Sequence, residues 1–393
     1  MNIVLGVCGS IAAYRAADLA RDLMRAGHEV HVCLTDSAQQ FVTPLLFETL
    51  TGHPCHTEAY REPERGRMAH IDLARQAELI LIAPASANTI AKLVHGDAED
   101  MLTTLVSASR AMLMLAPAMN PQMYASRANA LNLATLEARG AMIVEPQEGD
   151  VVAGEFGPGK LAANADIVAA VADVRDLTTR LAGQTVLITT GPTQEPIDDV
   201  RYLTNRSSGK MGAAIAQMAR WMGANVTVVA GPQSAPLPLD VRVERVRTAL
   251  EMHDAALSLA LSAQWAIGVA AVADYRPRHR VAGKLRRADD ALQLELVPNP
   301  DVIAAVAARC PGRTVAFAAE PSDDREHARA KLARKGVHAL AMNDVSQAGI
   351  GFESDRNALS LLWRDASRPV AESGVRSKLA CARWLLETLT EGA

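Results

Sequence analysis

The chain has 393 residues, 49% hydrophobic and 21% charged, with a net charge of −4 and a pI near 6.2. That length suits two to three domains with substantial cores, and the mild acidity argues against a general nucleic-acid or anionic-membrane partner. Five scattered cysteines (Cys8, Cys33, Cys55, Cys310, Cys381) make no CxxC pair and no metal-ligand spacing. Cys8 and Cys33 fall in apolar runs and are expected to be buried thiols in a reducing compartment. Met1-Asn2-Ile3-Val4-Leu5-Gly6 lacks a basic n-region and reads as a first strand, not a signal peptide, and no long apolar run suggests a membrane span. A soluble, cytoplasmic protein is expected.

Along the chain, one scheme occurs twice. Ile3 to Val7 reads as a strand, Cys8-Gly9-Ser10-Ile11-Ala12-Ala13-Tyr14 as a turn, and the residues to about Ala26 as a helix capped by Gly27; Glu29 to Leu34 is the next strand. Further strands are expected at Leu79 to Ala83 and Ala111 to Leu115. Asp166 to Leu181 reads as an amphipathic helix closing the first half, with Ala182-Gly183 as a hinge and the boundary near residue 182. The second half has a strand at Thr185 to Ile188, a long loop, a helix from Ala213 to Met222 ended by Gly223, and a strand at Asn225 to Ala230. The pattern predicts an α/β protein of two doubly wound, Rossmann-like parallel-sheet domains, residues 1–182 and 183–393.

The loop from Thr189 to Gly212 joins a strand end to a helix start, which is where open α/β sheets bind ligands. A loop this long in a compact domain is usually functional. Ser207, Ser208, Gly209 and Gly212 offer hydroxyls and close backbone approach near a helix N-terminus, which suits an anion. Met211 after Gly209-Lys210 rules out a Walker A loop. In the first half, Gly9-Ser10-Ile11 can hold a phosphate on backbone amides. Thr35-Asp36-Ser37, Pro84 to Thr89 and Ala116 to Asn120 bring small hydroxyl and amide residues to three more strand ends, as a mononucleotide pocket requires. The GxGxxG fingerprint of nicotinamide enzymes is absent. On composition alone His70 is more often structural than catalytic, Lys284 belongs to a solvated basic loop before an alternating strand at Leu292 to Val297, and Phe317 is core.

Pro84-Ala85-Ser86-Ala87-Asn88-Thr89-Ile90-Ala91-Lys92, Ala116-Pro117-Ala118-Met119-Asn120-Pro121-Gln122-Met123 and Ala69-His70-Ile71 resemble the FMN-dependent cysteine decarboxylases. Arg201 to Gly212, Ala270-Ala271-Val272-Ala273-Asp274-Tyr275-Arg276-Pro277, Phe317-Ala318-Ala319-Glu320 and Asn343-Asp344-Val345 resemble phosphopantothenate–cysteine ligase. In this order and over essentially the full chain, they are similar to bifunctional coenzyme A biosynthesis enzymes that fuse a phosphopantothenoylcysteine decarboxylase to that ligase.

The resemblance implies a flavodoxin-like FMN domain at 1–182, with Gly9, Ser10, Ile11, Ser37, Ser86 and Thr89 near the cofactor. It implies His70 as base or charge partner, Asn120 as the amide that holds the substrate carboxylate, and Met119 beside it. A carboxylate next to a saturated CH2–SH unit cannot leave as CO2 without an electron sink, which flavin supplies. One departure stands out. The family's flap carries Ala-Cys-Gly and a closing arginine, whereas here Val152-Ala153-Gly154-Glu155-Phe156-Gly157-Pro158-Gly159-Lys160 has alanine at the proton donor and lysine at the end. Gly154 and Lys160 remain substrate-binding candidates. Either water or a neighbour such as Glu155 protonates the intermediate, or the reductive half-reaction is impaired.

For residues 183–393 the resemblance implies that CTP activates 4′-phosphopantothenate as an acyl-cytidylate, which the cysteine amine then attacks. Asn205 is implied at the acyl carbonyl, with Ser207, Ser208, Gly209 and Gly212 on phosphates. Asp274 is implied on nucleotide or Mg2+, Lys284 on a mobile loop over the triphosphate, and Phe317 near cytosine. Trimers of the flavin domain and dimers of the ligase domain, hence a dodecamer, are implied in the same way. The rival readings are a working ligase fused to a flavin domain that does not complete turnover, and a non-enzymatic flavin-binding regulator.

Overall fold

Apolar runs without alternation become strands buried on both faces, and the two halves of the chain build separate sheets. The computed structural model describes residues 1–59, 68–150, 155–286, 292–320, 324–344, 350–351 and 353–391. The chain divides into two units, Met1–Asp176 and Leu177–Ala393.

The first unit has a five-stranded sheet of β1 (Asn2–Val7), β2 (Glu29–Leu34), β3 (Leu79–Ala85), β4 (Met112–Pro117) and β5 (Met142–Ile143) in the order β2-β1-β3-β4-β5, all parallel. Every residue of β3 is buried. The connecting helices are α1 (Arg15–Arg25), entered through a 3-10 turn at Ile11–Tyr14, then α2 (Pro44–Thr51), α3 (Ala69–Gln76), α4 (Ala87–His95), α5 (Met101–Ala108), α6 (Pro121–Ala125) and α7 (Arg127–Ala138). Ile80, Ile82, Ile90, Leu102 and Leu115 belong to one buried cluster between sheet and helices. A hairpin of β6 (Gln147–Asp150) and β7 (Phe156–Lys160) precedes α8 (Asn164–Thr179).

The division between the units falls inside α8, a few residues before the boundary expected near 182. The physical reason lies in the helix end: Leu181 N–H donates to the Met222 carbonyl at 2.8 Å and Gly183 N–H to the Gly223 carbonyl at 3.2 Å, so the chain already belongs to the second unit there.

In the second unit β8 (Thr185–Thr190) is central. The loop expected from Thr189 to Gly212 is not structureless, because β9 (Gln194–Pro196) and β10 (Tyr202–Thr204) pair in it as an antiparallel hairpin. Helix α9 (Lys210–Trp221) starts three residues earlier than expected, on Gly209 at φ 75°, whose carbonyl accepts from Ala213 N–H at 3.0 Å. Then follow β11 (Asn225–Ala230), β12 (Arg242–Arg245), α10 (Ala249–Ala260), β13 (Trp265–Gly268), β14 (Tyr275–Pro277), β15 (Leu296–Pro298), α11 (Val302–Arg309), β16 (Arg313–Glu320), α12 (Arg325–Lys335) and β17 (Ala339–Asp344). The chain ends through β18 (Arg356–Asn357), β19 (Ser360–Trp363), β20 (Ala371–Glu372), β21 (Arg376–Ser377) and α13 (Lys378–Thr390).

The eight-stranded sheet runs β12-β11-β8-β13-β16-β17-β19-β20, parallel from β12 to β17, with β19 and β20 added antiparallel. The strand expected from Leu292 to Val297 is shorter: only Leu296–Pro298 pairs, against Tyr275–Pro277, and one further bond runs from Arg278 N–H to the Glu295 carbonyl. No helix among the described residues is long and apolar enough to cross a membrane.

Candidate functional site

In the first unit the chain leaves β1 toward β2 on one side, then crosses to β3 on the other. The carboxyl ends of the strands at such a switch point open a crevice. A cavity of about 640 Å3 lies there, lined by Gly9, Ser10, Ser37, Ser86, Thr89 and Met119 among others. A Cβ on Gly9 would sit 2.4 Å from the Ser37 Cβ, so glycine is what lets the first two strand tips touch. Ser86 caps α4, accepting from Thr89 N–H at 3.3 Å and donating to the Thr89 hydroxyl at 3.2 Å. The helix therefore presents its N-terminal amides and positive dipole end beside the cavity. Lys92, also on the wall, binds Glu99 at 2.7 Å and Asp100 at 3.2 Å, and the Glu99 bond in particular holds its ammonium charged. Its charge is thus already balanced, and an anion here meets mostly neutral hydroxyl and backbone donors. Burial pushes the Cys8 thiol up, so it stays protonated.

Ile11 is 54% exposed and does not line this cavity, and neither do His70, Asn120 or Lys160. His70 is the second residue of α3, buried, with Nδ1 2.9 Å from the Ala59 carbonyl. Facing a carbonyl, Nδ1 acts as the donor in that contact, which orients the ring. Asn120 caps α6, its Oδ1 accepting from Gln122 N–H at 2.8 Å while its Nδ2 donates to Glu155. Met119 N–H donates to the Gly159 carbonyl at 2.9 Å, so β7 lays Glu155 to Lys160 against the Met119-Asn120 step. Ala153 and Gly154 lie outside the described residues.

The second unit repeats the logic, with its switch between β8 and β13. A cavity of about 880 Å3 there is lined by Asn205, Ser207, Ser208, Gly209, Gly212, Asp274 and Phe317. Ser207 Oγ accepts from Gly209 N–H at 3.4 Å and Ser208 Oγ from Lys210 N–H at 3.5 Å, shaping the turn that enters α9. Gly212 has a further role, since a Cβ there would lie 2.1 Å from the Thr190 Oγ1. Its bareness serves close packing of α9 on β8. The Asn205 amide donates to the Ala271 and Val272 carbonyls at 3.2 and 3.1 Å, so donating to a substrate carbonyl requires it to exchange one of these partners.

Lys284 is exposed and not on the cavity wall. Its neighbours are pinned instead: Leu285 N–H donates to Asp198 at 3.1 Å and Gly283 N–H to Asp199 at 2.8 Å. Burial opposes ionisation of Asp198, yet amides of Val200, Arg201 and Leu285 hold its carboxyl below the usual range.

Sequence reasoning missed Lys378. It opens α13, is 7% exposed, lines the cavity and donates to the Gly351 carbonyl at 2.9 Å. Burial, aided by nearby Lys210, pulls its pKa down to about 8. The signal was available, because Lys378 shares helical spacing with buried Cys381, Ala382, Leu385 and Leu389, and a lysine on an apolar stripe needs a reason. On the same wall, Asn343 Oδ1 and Asn357 Oδ1 are buried without a partner among the described residues. Such acceptors suit the N–H groups of a base.

Two parallel α/β units, each with a polar cavity at its switch point, define a two-domain enzyme of the nucleotide-binding kind. A family described as "Flavoprotein" matches residues 1–176, so the first unit is a flavoprotein domain, and "DNA/pantothenate metabolism flavoprotein C-terminal domain" matches residues 181–392. The coenzyme A biosynthesis bifunctional protein CoaBC of Vibrio cholerae is 44% identical, across 99% of this chain and 98% of the relative. That of Escherichia coli K12 is 41% identical across 93% and 92%, and that of Bacillus subtilis 37% identical across 99% and 96%. The chain belongs to the family of bifunctional coenzyme A biosynthesis proteins.

Proposed function

We propose that this chain makes 4′-phosphopantetheine in two steps, joining 4′-phosphopantothenate to cysteine at the expense of CTP in residues 183–393 and decarboxylating the product with FMN in residues 1–182. The observation that carries the reading is the pair of cavities, each at the switch point of its own sheet, in a chain alike to bifunctional relatives along nearly its whole length.

In the ligase unit the turn at Ser207, Ser208 and Gly209 holds phosphate oxygens at the start of α9, where amides and dipole favour anions. Asp274 would hold a Mg2+ ion brought in with the triphosphate, and the ion would neutralise phosphate charge. Asn205 turns from the Ala271 and Val272 carbonyls to the developing oxyanion. Phe317 and the acceptors of Asn343 and Asn357 receive the base, and Lys284 moves from the Asp198-Asp199 turn onto the triphosphate.

In the flavin unit Ser10, Ser37, Ser86 and Thr89 hold the phosphate and polar edge of FMN with uncharged donors, which fits a wall whose lysine is already paired. Bound FMN supplies the electron sink that lets CO2 leave. His70 exchanges a proton through Nε2. Asn120 holds the substrate carboxylate, which displaces Glu155 from the same amide; the freed Glu155 carboxylate takes a proton from water and passes it to the reacting carbon in place of the flap cysteine.

Purified protein supplied with 4′-phosphopantothenate, cysteine and each nucleoside triphosphate in turn tests this. CMP, CO2 and 4′-phosphopantetheine should appear together with CTP. CMP and CO2 with flavin left reduced would instead indicate an impaired second half-reaction, and a yellow protein that consumes no nucleotide would defeat the proposal.

A further inference from the structure

At the far end of β2 from the flavin cavity, three side chains that neither reaction uses converge. Glu29 and His31 are two apart on β2 and so point to one face of the strand. His53 follows Gly52, the residue that ends α2, and its ring packs on His31 with centroids 4.3 Å apart and planes tilted by 31°. Glu29 Oε1 lies 3.4 Å from His31 Nε2 and 3.6 Å from His53 Nε2, and the three donor atoms all fall within 4.8 Å of one another.

We propose that Glu29, His31 and His53 form a binding site for a first-row divalent cation, zinc foremost. Ligand atoms held about 2.0–2.1 Å from a tetrahedral zinc are about 3.3–3.4 Å apart, against about 3.0 Å around an octahedral ion. Of the two contacts to the carboxylate, the one at 3.4 Å matches the tetrahedral spacing and the one at 3.6 Å exceeds it slightly, both being wider than the octahedral value. Two imidazoles and one carboxylate are a zinc donor set that leaves the fourth position for water. Magnesium and calcium prefer oxygen ligands and fit it poorly.

Among the described residues Glu29 draws both rings, and His31 and Glu48 both act on His56. The Glu29 side chain is 54% exposed and that of His53 34%, so an ion can enter from solvent while His31, at 16%, anchors it.

The position gives the site a purpose. β2 is an edge strand, and the segment after α2 runs along it, with His56 N–H donating to the Val32 carbonyl and Leu34 N–H to the His56 carbonyl, both at 2.9 Å. An ion shared by β2 and His53 would clip that segment to the sheet edge, roughly 15–20 Å along the strand from Ser37 in the cavity. It would act as a staple, outside the chemistry.

The test uses full-length, flavin-loaded protein, stripped with chelator and dialysed against Zn2+, with metal counted by mass spectrometry. Wild type should hold one more zinc per chain than His31→Ala or His53→Gln. Release of flavin fluorescence on heating, which reports the first unit, should shift upward by about 3 °C or more with Zn2+ in wild type alone, and Mg2+ should not substitute. Co2+ should give the intense visible bands of a tetrahedral site, lost in His53→Gln. If His31→Ala does not fold, His53→Gln at its half-exposed position decides the matter. Equal zinc content in wild type and His53→Gln, or a melt insensitive to zinc, overturns the proposal.

Discussion

Replacing Lys378 by methionine should make the second unit more stable and a worse enzyme. The lysine ammonium sits 7% exposed on the cavity wall with its pKa at about 8 instead of 10.5. At about 1.4 kcal/mol per unit, the fold disfavours the charged form by about 3 kcal/mol. Lys378→Met removes that penalty but also the bond to the Gly351 carbonyl, worth about 1–2 kcal/mol. The net gain is about 1–2 kcal/mol, or about 3–6 °C for a unit of this size. The pH dependence carries a clear sign. Below pH 8 the lysine is charged in both states and the penalty is fully present. Between about 8 and 10.5 the unfolded chain binds the extra proton, so wild-type stability recovers as pH rises, and the variant lacks this recovery. All four tryptophans (Trp221, Trp265, Trp363, Trp384) belong to the second unit, so tryptophan fluorescence on heating follows that unit alone. At the same time KM for CTP should rise at least about tenfold, because a cation on the wall of the proposed nucleotide cavity is gone. An unchanged or lower melting point for Lys378→Met at pH 7, with pH profiles parallel to wild type, would refute the reasoning.

Gly212→Ala drives a methyl group into Thr190 and should destabilise the second unit by about 1–3 kcal/mol, read by the same tryptophan melt, while flavin content stays normal. Ser86→Ala removes the cap of α4 at about 1 kcal/mol and should speed loss of yellow colour on dialysis. His70→Gln should abolish CO2 release with flavin retained and CMP formation untouched, since His70 belongs to the first unit alone. Glu155→Gln should slow the reductive half-reaction more than CO2 release, as flavin absorbance left bleached after a single turnover would report.

Much of the frame was legible because it rests on local rules. The strand Asn225–Ala230 matches its expected bounds, and Leu79 to Ala83 and Thr185 to Ile188 needed only extension at their carboxyl ends, where the cavities begin. Gly9, Ser37, Ser86 and Thr89 were readable because strand tips gather small residues whatever the crossover lengths. What was not legible depended on pairing across distance. The hairpin of Gln194–Pro196 with Tyr202–Thr204 has no alternating pattern to announce it, only the tight turn that Asp198 ties through amides of Val200 and Arg201 at 2.8 and 2.6 Å. Asn120 and Glu155 are brought together by β7, which no periodicity of Phe156-Gly157-Pro158-Gly159-Lys160 reveals. Lys378 belongs to no motif, and its place on the cavity wall depends on the fold turning that face of α13 inward.

The small hairpin in the second unit has a consequence for what binding the proposed nucleotide costs. A stretch of two dozen residues that had to freeze around each arriving triphosphate would surrender, at every turnover, a large share of the binding energy as lost chain entropy. Here the pairing of Gln194–Pro196 with Tyr202–Thr204 makes that sacrifice during folding, once. Capture of the proposed nucleotide is therefore left with the Asn205 side chain and the short Lys284 segment to rearrange, and calorimetry should find a modest entropic penalty where the bare length of the connection would have forecast a severe one.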